Sequence, residues 1–194
     1  RVEDYNLPPA LNAFAKNLQK TDEISEKGTR NILFSSYRNN LNGFNFNRNY
    51  LFNSVLRVSV VAVINRENVS ASISLPRINT EIDVLNVQRL PYFRLVASLG
   101  AVSDMLYDAS TNTYNPANEQ MHGINATYTG EWLPAENILP EQTIEVSMNE
   151  NFRKVLTEDV TLVVSIAVEF GKVGFTGVPQ EVKYAGSGKV LVCG

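Results

Sequence analysis

The chain holds one cysteine and one histidine among its 194 residues, Cys193 and His122. These are the side chains most used as nucleophiles, transition-metal ligands and proton shuttles near neutral pH. A single cysteine forms no internal disulfide, so the fold stands on packing alone. With no second histidine or cysteine there is no zinc-type ligand set. No Asp-x-Asp-x-Asp run offers a calcium loop. No cofactor and no catalytic residue set is therefore expected. Long apolar runs are missing too. The most apolar window, Thr161 to Phe170, is half a bilayer-spanning length and carries Glu169. No repeat of fixed period is visible.

Acidic residues are absent from Lys27 to Arg66, a stretch that carries Lys27, Arg30, Arg38, Arg48, Arg57 and Arg66. The rest of the chain more than offsets it, for a net charge of −3. That balance favours solubility and points to no one class of partner. An apolar fraction of 44% against 19% charged is globular composition. A chain of this length buries roughly 70% of its extended surface on folding, enough for an independent core. The chain begins at Arg1. An upstream piece is expected to be missing; whether it held a signal peptide or lipid anchor stays open, as do cytoplasm and a bacterial cell surface.

The first third reads as helical, and residues 1–55 are taken as a helical segment. Pro8 and Pro9 suit a helix start, and Leu11, Phe14, Ala15 and Leu18 form one apolar stripe. A second helix is expected over Thr29–Asn42, closed by Gly43. The asparagine-rich stretch Asn39–Asn53 reads as a loop or a poor third helix ending near Phe52.

Residues 56–194 read as an antiparallel β-sandwich. Strands are expected at Leu56–Ile64 and Val69–Leu75, joined by Asn65-Arg66-Glu67-Asn68. In the second of them Val69, Ala71, Ile73 and Leu75 alternate with three serines. Further strands are expected at Ile82–Val87, Tyr92–Leu99, Ile124–Trp132, Thr143–Met148, Thr161–Phe170, Val173–Val178, Glu181–Tyr184 and Lys189–Cys193. Tight reversals are expected at Gly171-Lys172 and Gly186-Ser187-Gly188. Asn149–Glu158 reads as a helical turn or crossover. Asp108–Gln120 reads as a long polar loop. Hairpins without intervening helices favour a mainly β, antiparallel fold.

Gly186-Ser187-Gly188-Lys189 partly resembles a phosphate loop, but lacks the earlier glycine and the following Ser or Thr, and leads into a strand. Tyr107, Tyr114, Tyr128 and Trp132 surround the polar loop, with His122 beside it. Aromatic faces among amides suit sugar binding and equally suit a sandwich core, so these five are the ligand-binding candidates. Arg38, Arg48, Tyr37 and Tyr50 are the partner-binding candidates. Arginine holds phosphates and aromatics stack on unpaired bases, although only six charges in forty residues make a thin footprint for nucleic acid. Asp104, Asp108, Glu119, Glu131, Glu136 and Glu145 are carboxylates from which a glycosidase pair could be drawn.

Gly43-Phe44-Asn45 before an asparagine-containing segment, and a C-terminal strand leading into Phe170-Gly171-Lys172-Val173, resemble a family of uncharacterised Bacteroidetes proteins. The resemblance implies an immunoglobulin-like or fibronectin-like remainder after a helical N-terminal part, and no activity. The expected function is a non-enzymatic binding or structural module of a larger assembly or bacterial surface apparatus, with protein or glycan as partner. Nucleic-acid or protein binding through residues 27–66 is the first alternative, and a carboxylate glycosidase or glycan-binding protein the second.

Overall fold

Strict alternation of apolar and polar side chains builds the centre of the molecule. In the computed structural model, which describes residues 2, 3 and 7–194, strand β4 (Tyr92–Ser103) buries every second residue without a break. Phe93, Leu95, Ala97, Leu99 and Ala101 point into the core. Its neighbour β11 (Val160–Val173) runs antiparallel to it from Val160↔Ser103 to Gly171↔Tyr92. β11 is buried on both faces for most of its length, which is why its sequence is a near-continuous apolar run.

The elements before this pair are α1 (Leu7–Gln19), a 3-10 turn at Ser35–Leu41, α2 (Phe52–Val55), β1 (Val61–Asn65), β2 (Ser70–Leu75), β3 (Ile78–Asn79) and α3 (Thr80–Asp83). Between β4 and β11 lie β5 (Met105–Asp108), β6 (Thr113–Pro116), β7 (Asn125–Thr129), β8 (Leu133–Pro134), β9 (Ile138–Leu139), β10 (Gln142–Ser147) and a 3-10 turn at Glu150–Lys154. The chain then closes with β12 (Pro179–Glu181) and β13 (Ser187–Cys193).

The larger sheet has β7 and β8 on the outer edge of β4, and β12 and β13 on the outer edge of β11. A three-stranded sheet, β1-β2-β10, covers its inner face. Ala71, Ile73 and Leu75 from β2 and Ile144 and Val146 from β10 meet the inward residues of β4 and β11 in one core. The β1 edge lies beside β13 and the β10 edge beside β7. The protein is mainly β, with antiparallel sheets and a small N-terminal helix.

The β1–β2 turn runs Arg66–Val69, with Val69 at φ +49°. Left-handed backbone costs a β-branched residue about 1–2 kcal/mol. Complete burial of its side chain and the hydrogen bond from Met148 N–H to its carbonyl hold it there.

The outer face of the larger sheet is roofed by the N-terminal segment. Phe14, Phe34, Leu41, Phe44 and Phe46 pack on Val163, Val190 and Cys193. Residues 43–46 lie along β13 as an extra extended piece, exchanging backbone hydrogen bonds between Gly43 and Val190, Phe44 and Val190, and Phe46 and Gly188. Asparagines then staple backbone to backbone. Asn42 Oδ1 accepts from Cys193 N–H, Asn45 Oδ1 from Phe52 N–H, and Asn47 Oδ1 from the Asn49 and Tyr50 N–H groups. Asn47, 1% exposed, also donates to Gly186 O.

Several local expectations give way. Only Ser35–Leu41 of the second helix forms, as a kinked 3-10 turn, because Asp104 takes both the Ser35 N–H and its hydroxyl. The first strand begins at Val61, not Leu56; Leu56 makes an isolated bridge to Val84. The Ile82–Val87 strand is replaced by the one-turn helix α3, capped by Asn79. Asp108–Gln120 is no open loop: β5 and β6 pair across it, and Asp108 caps the turn by accepting from Ser110 and Thr111. Gly171-Lys172 is no turn, since β11 continues to Val173 and the chain reverses at residues 174–178. Gly171 serves a close approach instead: a Cβ there would meet the Trp132 ring at 2.8 Å. Gly186-Ser187-Gly188 likewise enters β13 and does not form a reversal.

Candidate functional site

The two ends of the β4–β11 pair differ in what their polar groups do. At the Tyr92 end, the loops before β4 and after β8 enclose a cleft of about 630 Å³. Its apolar wall is Val84, Leu90, Pro91, Pro134 and Ala135, and its polar groups include Glu81, Arg89 and Glu136. An adjoining cavity of about 350 Å³ shares Glu81 and Glu136 and adds Asn79, Asn137 and Ile138.

The walls are tied down by local hydrogen bonds. Asn79 Oδ1 accepts from Glu81 N–H while Asp83 Oδ2 accepts from Asn79 N–H, which holds α3 at both ends. Thr80, buried, donates from Oγ1 to Asn137 O and accepts from Asn137 N–H, clamping this loop to the opposite wall. Asn86 closes the 86–90 loop by bonding both the N–H and the carbonyl of Leu90. Ala135 N–H donates to Pro91 O, beside the β8 pairing to Tyr92 and Phe93.

Arg89 stands at the mouth with φ +50°. A non-glycine residue held left-handed costs about 1–2 kcal/mol, and such residues gather at functional sites. Among the described residues, no hydrogen bond or ion pair engages the side chains of Glu81, Arg89 and Glu136. The cleft thus combines two carboxylate acceptors and a guanidinium donor, uncommitted, with an aliphatic and proline surface. That chemistry suits a hydroxyl-rich ligand with apolar C–H faces.

At the Ser103 end several polar side chains are engaged with backbone and with one another. Asn118 donates from Nδ2 to Val155 O and Thr157 Oγ1, accepts from Met121 N–H, and its own N–H reaches Ser103 Oγ. Arg66 donates to Val160 O, Gly194 O and Thr157 O, and burial pushes its guanidinium pKa down. Ser103, His122 and Asp159 lie in the same network, a residue set that resembles a catalytic triad. The geometry is not one. His122 Nδ1 accepts from the Ser103 backbone N–H at 3.3 Å, and the Ser103 hydroxyl is fully buried.

The aromatic candidates are distributed over the molecule. Tyr107 and Tyr114 face each other across β5–β6, ring centres 5.4 Å apart and edge to face. Tyr107 donates to Asn112 and Tyr114 to Arg30 O. His122 lies beside Ser103, at one end of β4. Tyr128, half-exposed, lies opposite Ala97 near the middle. Trp132 packs over Gly171 near the other end, with the Arg94 guanidinium 4.3 Å above its ring and Arg94 bonded to Glu169 at 2.6 Å. From Ser103 to Phe93 the strand spans about 33 Å, so His122 and Trp132 do not share a ligand-sized site. Of the partner candidates, Arg38 is bonded to Glu158 through its carbonyl and carboxylate, Arg48 has a partner, and Tyr50 packs against the core with Ser187 on its carbonyl. Tyr37 is half-exposed.

Of the six carboxylates, only Glu136 enters the cleft. Asp104 holds Ser35, and hydrogen bonds from Ser110 pull the Asp108 carboxyl down. No spacing motif joins Glu81, Asn86 and Arg89 in the sequence. Their signal was an apolar run broken by Asn86, Gln88 and Arg89 just before a proline. Burial pushes the Cys193 thiol up to about 12. Among the described residues no acidic, histidine and cysteine side chains gather as a metal-binding group, and no helix is long and apolar enough to cross a membrane. No family model matches the chain, and no curated protein matches it.

Proposed function

We propose that the protein is a non-enzymatic binding module, an immunoglobulin-like or fibronectin-like sandwich related to the Bacteroidetes proteins it resembles, whose cleft takes a glycan. The single observation that carries this reading is the uncommitted Glu81–Arg89–Glu136 set in a rigid, open, 630 Å³ cleft. Carboxylates and guanidinium would hold sugar hydroxyls while Leu90, Pro91 and Pro134 cover C–H faces. A glycan array tests it. Glu136→Gln and Arg89→Gly should abolish the signal, while Trp132→Ala, outside the cleft, leaves it. Arg89→Gly should also keep or raise stability by up to about 1 kcal/mol, since glycine accepts the left-handed backbone. An empty array, or binding that ignores both cleft variants, defeats the reading.

A second reading rests on a different observation: Glu81 and Glu136 line both cavities. Two carboxylates across one cleft are what glycoside hydrolysis requires. Release of new reducing ends from a bound glycan, lost in Glu136→Gln, would favour it over simple binding.

A further inference from the structure

A second cavity, on the flank away from the cleft, is built from three separate pieces of chain. It measures about 350 Å³ and is lined by Lys16, Lys20, Lys27, Arg30, Gln19 and Tyr114, closed by Gly28. All four charged residues in this wall are cationic, in a protein whose net charge is −3.

The wall is preorganised. Asp22 Oδ1 accepts from the N–H groups of Ile24 and Ser25, and Oδ2 from that of Asn31. That folds residues 22–31 back against α1. Asn31 Oδ1 then accepts from Tyr107 N–H, and Ile32 bridges Met105, which ties the loop to β5. Gln19 donates to the Tyr114 hydroxyl at 2.9 Å, and that hydroxyl donates to Arg30 O at 2.8 Å. Three elements are therefore locked around the cavity, with no anionic side chain among its described lining residues.

One further point favours an anion. None of Lys16, Lys27 and Arg30 is ion-paired among the described residues, and Lys20 bonds only the neutral Asn17. Convergent like charges without a counter-charge repel one another, and an anion of matching charge relieves this. Lys16 and Lys20 also complement the C-terminal dipole of α1, but that role does not account for Lys27 and Arg30.

We infer that this cavity binds a small ligand carrying a diphosphate group. Its volume is at the low end for ligand sites. Among the described residues Tyr114 is the only aromatic ring in the wall, and it packs edge-on to Tyr107. No stacking platform of the kind that single-stranded nucleic acid uses lines the cavity. The guanidinium and ammonium groups supply the multiple donors that phosphoryl oxygens accept.

The test is calorimetric titration of the full chain with inorganic pyrophosphate, a nucleoside diphosphate, sulfate and a ten-nucleotide oligo(dT), all at one ionic strength. Pyrophosphate or the nucleoside diphosphate should saturate one site and bind at least tenfold more tightly than sulfate, on the order of one extra charge-assisted bond. The tighter of the two identifies the ligand's source. Lys16→Ala and Lys27→Ala, both at exposed positions, should each weaken binding about tenfold, with unchanged Trp132 fluorescence as the check on folding. Glu136→Gln, in the other cleft, should leave this binding untouched, so the two sites succeed or fail separately. The inference is overturned if neither diphosphate saturates, if sulfate binds as well, if the lysine variants bind like the parent, or if oligo(dT) binds more tightly than both diphosphates.

Discussion

At the Tyr92 end of the β4–β11 pair, Glu81, Arg89 and Glu136 face a cleft and have no partner among the described residues. At the Ser103 end, Asn118, Arg66, Ser103 and Asp104 spend their polar atoms on backbone and on one another. The two ends sit on the same pair of strands and so share one core. What separates them is whether hydrogen-bonding capacity is consumed in folding or left unused. The end that carries residues of catalytic type, a serine, a histidine and two aspartates, holds them in hydrogen bonds within the fold. At the end with no recognisable motif, Glu81, Arg89 and Glu136 keep their side chains free of partners among the described residues.

The comparison breaks most sharply at Arg66. Arg66→Met keeps much of the side chain's volume but strips the donors from three carbonyls, and should cost about 3 kcal/mol, read as a shift in the urea midpoint. Asn118→Ala comes next at about 2 kcal/mol, since it frees Val155 O and Met121 N–H at once. Both variants should keep the cleft's ligand once folded. Glu136→Gln at the open end should move stability by no more than about 0.5 kcal/mol, because nothing among the described residues bonds its side chain. If Glu136→Gln destabilises as much as Asn118→Ala, the two ends do not differ as described.

Asp22, next to the Ser103 end, gives a pH-dependent contrast. Hydrogen bonds from the Asn31 and Ser25 N–H groups lower its pKa to about 2. Its folded pKa lies below the unfolded value near 3.9. The stabilisation is therefore complete above about pH 5 and drains away as pH falls through 4 toward 2. In an NMR titration the Ser25 and Asn31 amide signals should move with a midpoint near 2. A midpoint near 4 would show that the 22–31 loop is not held by this carboxylate.

Where one physical signal controlled the outcome, the sequence was readable. Period-two burial in β2 and β4 and the apolar run of β11 placed the central strands, with Leu99 and Phe170 as cautious boundaries that the ladder extends. Leu33, Tyr37 and Leu41 have helical spacing, yet Asp104, over sixty residues away, captures Ser35 and bends the segment. The asparagines of 39–53 weaken a helix locally, and their use as staples to Cys193 and Gly186 depends on β13 being in place. Tyr107 and Tyr114 do pair, as cross-strand neighbours of a hairpin that looked too polar to be strand. The cleft was the least legible part. Glu81 and Glu136 are brought together by the β3–β9 and β4–β8 pairings, and short two-residue strands leave almost no periodic trace.

The most direct test follows the amide signals of the isotopically labelled protein while the strongest glycan from the array is titrated in. Shifts centred on residues 81–90 and 134–137, with residues 103–122 silent, are the predicted result. Shifts centred on the Ser103–His122 network, or no glycan that moves any amide, would contradict the assignment of binding to the open end.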